Sequence, residues 1–245
     1  MAEIYKTFIA HLEEFRRRVF ICVIAILSAM IAAYFYSESI FQFLLKPIQS
    51  EVPQLYFFSP SEAFFVRVKV SFLSGVIMAS PVILNQIWNF ITPALYEKEK
   101  QFTTPWIFMT SFLFLLGVFF SFYGVVPTAW RFLIGFQSDF LKPMISMNQY
   151  LDFLTTLSLG FGIAFNLPAF LMILVSAKIL KVRDLTGYRK HAVVLIFIAA
   201  AVLTPGPDVV SQVLLAVPLL FLYEFSILGA RVIELRSKIK DQKSK

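Results

Sequence analysis

The sequence predicts an all-α, polytopic membrane protein with six transmembrane helices and both termini cytoplasmic. Three observations predict it. Of 245 residues, 58% are hydrophobic and 15% charged, with 29 phenylalanines and a mean hydropathy of +0.76, whereas a soluble domain carries roughly 25% charged residues. Uncharged runs cover 19–37, 70–96, 101–130, 153–177, 192–207 and 209–223, and about 20 apolar residues suffice to cross a bilayer. The basic residues, finally, are sorted to one side. Seventeen of the 22 fall before the first run, between the second and third, between the fourth and fifth, and after the last. Lys and Arg stay cytoplasmic, so the termini are inside and the span count is even.

The elements follow in order along a single integral membrane domain, residues 1–245. At the N-terminus Ile4, Phe8, Leu12 and Phe15 recur at helical spacing, which predicts an amphipathic helix over 3–16 lying at the interface. Glu13 and Glu14 stand four residues before Arg17 and Arg18, the favourable order for pairing on a helix surface. The first span, about 18–38, is longer than the apolar core of a signal peptide and reads as a retained helix.

Spans two to four are placed at about 68–92, 104–130 and 152–177. The extracytoplasmic connections before the second and after the third are rich in apolar residues, including Phe41, Phe43, Leu44, Tyr56, Phe57 and Phe58. Such composition predicts short amphipathic helices rather than disorder. Lys46-Pro47 marks a turn, and Ser59-Pro60-Ser61-Glu62 a helix start, since Ser caps and Pro favours the first helical position.

The last apolar stretch is interrupted by Thr204-Pro205-Gly206-Pro207-Asp208. Two prolines around a glycine break a helix, so the stretch is a hairpin of two short spans, about 191–205 and 209–229, with Asp208 capping the second. Sixteen residues rise about 24 Å, less than a hydrocarbon core of about 30 Å, and should thin the bilayer locally. Two short helices beside four long ones predict a concave arrangement rather than an even bundle. A basic cytoplasmic tail, 231–245, follows.

The sequence excludes several classes of function. A lone Cys22 rules out an internal disulfide, and two distant histidines, His11 and His191, leave little to bind metal. No Gly-x-Ser-x-Gly, P-loop, His-Glu-x-x-His or Gly-x-Gly-x-x-Gly motif occurs, so no enzyme, cofactor or metal is expected. The net charge of +7 is accounted for by the cytoplasmic bias and calls for no nucleic acid. What remains is polar residues at membrane depth: Asn85, Gln86, Asn89, Asn166, Gln212 and Glu224. Each needs a partner, because unpaired polar groups in lipid are costly. For Asn166, beside Pro168, an interhelical hydrogen bond is the favoured reading. A small-solute transporter and a structural scaffold stay open; the transporter reading is weakened by the absence of internal repeats.

Three motifs in order complete the reading. They are His11-Leu12-Glu13-Glu14-Phe15-Arg16-Arg17-Arg18; Ser80-Pro81-Val82-Ile83-Leu84 with Trp88-Asn89-Phe90-Ile91-Thr92-Pro93-Ala94-Leu95-Tyr96-Glu97-Lys98-Glu99; and Leu203-Thr204-Pro205-Gly206-Pro207-Asp208-Val209-Val210-Ser211-Gln212. From about Phe8 to Arg231 the chain resembles the TatC family, the multispanning receptor subunit of the twin-arginine protein translocase. The resemblance implies a protein of the cytoplasmic (inner) membrane that binds signal peptides with paired arginines and nucleates a translocon, driven by the proton-motive force, that exports folded proteins. It implies TatA-type and TatB-type single-span subunits as partners, along with membrane lipid and self-association in the receptor complex. By family position, Glu14 and Glu99 are the recognition carboxylates, with Phe90 and Arg16 beside them; family likeness and the polar chemistry of a short helix pair together make Thr204 and Gln212 contacts to partner helices, while Pro47, Pro81 and Asp208 are read as structural. One position departs from the family. Most members carry glutamate in a Phe-Glu-x-Pro setting where this chain has Phe165-Asn166-Leu167-Pro168, and an amide cannot ionise.

Overall fold

Ten α-helices and one π-helical turn make up the described part of the chain. The structure, a computed structural model, describes residues 2–49, 55–91, 103–135, 144–177, 179–204 and 209–243. They divide into two compact units, one of Met1–Leu44 with Ala63–Ser111, the other of Leu45–Glu62 with Phe112–Lys245. Among the described residues, five helical segments are long and apolar enough to cross a membrane: His11–Phe35, Pro60–Phe90, Trp106–Ile134, Met147–Ser176 and Gln212–Leu235. A count of six requires α9 (Arg189–Leu203), which at 15 residues is the short helix the sequence predicts. The matching expectation for the sixth helix is corrected: α10 (Val209–Lys243) runs 35 residues without a break. Lys and Arg are good helix formers, so the predicted tail continues the helix.

The first unit contains α1 (Ala2–Phe35), nearly all of α2 (Ser37–Leu45), and most of α3 (Pro60–Ile91). The amphipathic N-terminal segment and the first span are one helix. Phe20, Ile24, Leu27, Ile31 and Phe35 on α1 are exposed, as lipid-facing positions should be. Where α1 meets α3, Gly75 lets the backbones touch: a Cβ there would stand 2.9 Å from the Met30 backbone nitrogen. The α2 helix fulfils the expectation of a short helix after the first span, and the turn at Pro47 ends with Ile48 buried and its N–H donating to Leu45 O at 3.0 Å.

Proline shapes three helices, each in a way its neighbours answer. Pro81 sits inside α3 without ending it. Lacking an N–H, it leaves the carbonyl four residues back unpaired, and Ser80 Oγ donates to that Ile77 carbonyl at 2.8 Å. The helix α4 (Thr103–Phe120), whose first half belongs to the first unit and whose second half to the second, passes into a π-helical turn (Ser121–Val125) and then α5 (Val126–Ile134), which has Pro127 in its first turn. The Val126 N–H accordingly reaches Ser121 O. Between α6 (Met147–Ala164) and α7 (Leu167–Ser176) the chain kinks before Pro168.

In the second unit Tyr150, Leu151, Leu154, Leu157 and Phe161 are fully buried. Trp130 packs on Tyr150 and Phe153, with ring centroids 5.2 and 5.7 Å apart. The short α8 (Val182–Gly187) is held against α10 by Tyr223, whose hydroxyl donates to Leu185 O at 2.8 Å. The connection before α3 is tied to the start of α6: Tyr56 N–H donates to Ile145 O at 3.0 Å and Met147 N–H to Tyr56 O at 2.9 Å. Glu62 reinforces the tie. Its carboxylate accepts from Phe58 N–H at 2.7 Å on its own segment, and from Ser146 Oγ and Asn148 N–H (3.1 Å) at the start of α6. The expected helix start at Ser59-Pro60-Ser61-Glu62 is therefore present, and Glu62 serves two helices at once.

Candidate functional site

Polar chemistry gathers at two places, one in each unit. The first lies where α1 passes the end of α3. Glu14 and Arg18, one helical turn apart on α1, form an ion pair: Nε and Nη2 of Arg18 both donate to Oε1 of Glu14, Nε at 3.2 Å. Arg18 also donates from Nη1 to the Gln86 carbonyl on α3 at 3.4 Å. The other carboxylate oxygen, Oε2, faces His11 Nδ1 at 3.8 Å. A small cavity is lined by Glu14, Arg17, Arg18, Ile21 and Gln86. Of the two favourable Glu-Arg spacings, only Glu14–Arg18 closes into an ion pair among the described residues.

Phe90 extends this site with an apolar wall. Its ring meets that of Phe15 at 5.7 Å and that of His11 at 6.3 Å, so two successive turns of α1 rest on it. Glu14 and Phe90, grouped in the sequence reading by family position, lie in one patch. Arg16 is exposed on α1. Glu99 lies outside the described residues. Below the patch, Asn89 Nδ2 donates to Asn85 Oδ1 at 2.7 Å, and Trp88 Nε1 to Thr110 Oγ1 at 2.8 Å, so these polar groups of α3 are paired. The sequence reading missed the role of the Gln86 backbone carbonyl, which no side-chain pattern could announce. Arg18 was legible only as a helix-surface partner of Glu14.

The second place is the α9–α10 pair. Thr204 Oγ1 donates to Ala200 O at 2.7 Å, and Gln212 Nε2 to Phe197 O at 2.9 Å. Gln212 closes one side of an apolar groove formed by Val193, Val194, Phe197, Ile198, Ala201 and Val202. At the other end of the pair, Arg189 donates to Glu224 at 2.7 Å, which gives Glu224 its partner. Asp208 and the hairpin tip, 205–208, lie outside the described residues.

Asn166 stands apart from both. It bonds within its own segment rather than across to another helix: Nδ2 donates to Gly162 O at 2.9 Å. The kink frees that acceptor, since the Asn166 N–H goes instead to Ile163 O at 3.0 Å. Its Oδ1 is buried without a partner.

The comparisons with known proteins agree over most of the chain. The family model described as Sec-independent protein translocase protein (TatC) matches residues 10–218. A TatC of Carboxydothermus hydrogenoformans is 41% identical over 228 residues, covering 93% of this chain and 94% of that protein. A TatC of Magnetococcus marinus is 41% identical over 229 residues, covering 92% and 84%. Among solved structures, a crystal structure of the twin-arginine translocase receptor TatC superposes with a TM-score of 0.83 at 38% identity, covering 91% of this chain and 99% of that one.

Proposed function

The chain belongs to the TatC family and is a multi-pass membrane protein, and from that premise we propose that, as the core subunit of a twin-arginine translocase, it binds paired-arginine signal peptides at the Glu14 site. One observation carries the assignment: the Glu14 carboxylate already holds a guanidinium, with a second acceptor, the Gln86 carbonyl, beside it and an aromatic wall at Phe90. A carboxylate flanked by a carbonyl suits the planar fork of arginine better than the point charge of lysine. Glu99 is the second carboxylate by family position, and Arg16 flanks the site.

The same proposal gives six spans, α9 being the fifth, with both termini cytoplasmic in the inner membrane, and it includes export of folded proteins powered by the proton-motive force. The α9–α10 groove is the docking surface for TatA-type and TatB-type single-span subunits. Its apolar lining fits a helix in lipid, and Gln212 retains a second N–H and its Oε1 lone pairs for a polar contact. Further copies of the chain associate in the receptor complex.

The test uses the full chain in lipid nanodiscs and a labelled signal peptide bearing paired Arg or paired Lys. Paired Arg should bind and crosslink to residues 14 and 90, and paired Lys should bind far more weakly. Equal binding of the two peptides, or crosslinks confined to other positions, would defeat the assignment.

A further inference from the structure

We propose that Arg18 is a resident occupant of the arginine-accepting position at Glu14, displaced when a signal peptide binds, so that it lowers the site's affinity for every cationic peptide by one common factor. The inference rests on reading Glu14 as the peptide's acceptor.

Three features of the site argue for it. Arg18 spends its guanidinium on the same groups a ligand would need: two donors converge on Glu14 Oε1 and a third reaches the Gln86 carbonyl. A guanidinium has only five N–H donors, and three are engaged here. The pair is also open to exchange. Glu14 remains 34% exposed while Arg18 is 19% exposed, so solvent and ligand can approach the carboxylate as the arginine lies back against α3. Finally, the charge balance of the cavity is wrong for a cationic ligand as it stands. Its lining holds one carboxylate, Glu14, against two guanidiniums, Arg17 and Arg18. An arginine that simply joined this set would meet repulsion; one that replaced Arg18 at the carboxylate would leave the hydrogen-bond count unchanged.

Displacement has a definite thermodynamic signature. Where the binding-competent state is a fraction of the population, apparent affinity falls by that fraction, whatever the ligand. Arg18 therefore does not itself choose arginine over lysine. It lowers both affinities by the same factor, while Glu14 and Gln86 set the preference.

The experiment measures binding of paired-Arg and paired-Lys signal peptides to the full chain in nanodiscs, comparing wild type with Arg18→Gln, Arg18→Lys and Glu14→Gln. Arg18→Gln should tighten both peptides by the same factor, about two- to fivefold given the worth of exposed pairs one turn apart. Arg18→Lys keeps the charge but loses the fork, and should also tighten both, by less. A gain in Arg18→Gln alone would mean that Arg18 acts only by charge repulsion, and would overturn the proposal. Weaker binding in both Arg18 variants would make Arg18 a peptide contact or a strut between α1 and α3, and would overturn it equally. Glu14→Gln separates the two levels of the argument. If it binds like wild type, Glu14 is not the acceptor; if it loses binding while Arg18→Gln fails to gain, only the displacement reading falls.

Discussion

The α1–α3 patch and the α9–α10 groove both set polar side chains against a largely apolar background, and they resolve the cost in opposite ways. At α1–α3 the polarity is ionic, a carboxylate paired with a guanidinium, and on the displacement proposed above another guanidinium can take its place. At α9–α10 the Thr204 hydroxyl and one N–H of Gln212 are spent on backbone carbonyls of α9, and the groove beside them is lined by Val, Phe, Ile and Ala. The difference teaches what each surface can discriminate. An exchangeable ion pair reads charge and geometry; a groove that is apolar but for what Gln212 leaves unspent reads mainly shape, with a small polar correction.

Several changes would break or sharpen this contrast. The largest effect is expected from Glu14→Gln, which removes the charge from the acceptor; paired-Arg peptide binding should fall tenfold or more, on the order expected for a charge-assisted contact. Titration of labelled peptide checks it, and crosslinking to partner helices should be unaffected. Next, Gly75→Leu places a side chain against the Met30 backbone. Overpacking of this kind costs about 1–3 kcal/mol and should separate α1 from α3, lowering the detergent unfolding temperature and peptide affinity together. A variant that kept wild-type affinity would show that the patch does not depend on close α1–α3 contact.

A smaller effect is expected from Ser80→Ala, which strips the donor from the Ile77 carbonyl that Pro81 leaves unpaired. The loss should be about 1 kcal/mol of stability, and Pro81→Ala in the same background should recover part of it by restoring the backbone N–H. Failure of that rescue in thermal unfolding would break the link between the two residues. The smallest effect belongs to Gln212→Leu. An interhelical polar contact averages about 0.6 kcal/mol in membranes, so crosslinking to co-expressed single-span partners should fall only a few-fold, with peptide binding unchanged. A complete loss of partner crosslinking would show that the groove depends on its polar correction after all.

How much of this was legible in the sequence depends on which forces act. The apolar helices, the short α9, the turn at Pro47 and the start of α3 follow from apolar length and from turn and cap chemistry, both local, and helices and turn occur where the residues imply. Helix continuity was less legible. The boundary drawn between an interfacial helix and the first span dissolves into a single α1, and the tail joins α10, because a change from apolar to charged residues alters the solvent without breaking the helix. Residues that act through their backbone were invisible. Gln86 contributes a carbonyl, Tyr56 both backbone groups, and Gly162 an acceptor freed by the neighbouring kink; nothing in their side chains marks them. Asn166 was seen as a polar residue needing a partner, but that its partner would be its own helix end follows only from the local loss of the α-helical bond.

The tie between Glu62 and Ser146 also constrains the order in which the chain can mature. Its two halves are 84 residues apart, and a ribosome adding about 5–20 residues per second delivers the second half roughly 4–17 s after the first. Throughout that interval the backbone groups of Tyr56 have no strand partner and the Glu62 carboxylate serves only its own segment. A nascent chain halted before residue 145 can hold its early helices in the bilayer, yet it cannot close this connection. Protease protection of residues 55–62, followed on chains arrested at successive lengths, should therefore appear in a single step once Ser146 and Asn148 have left the ribosome and reached the same side of the membrane.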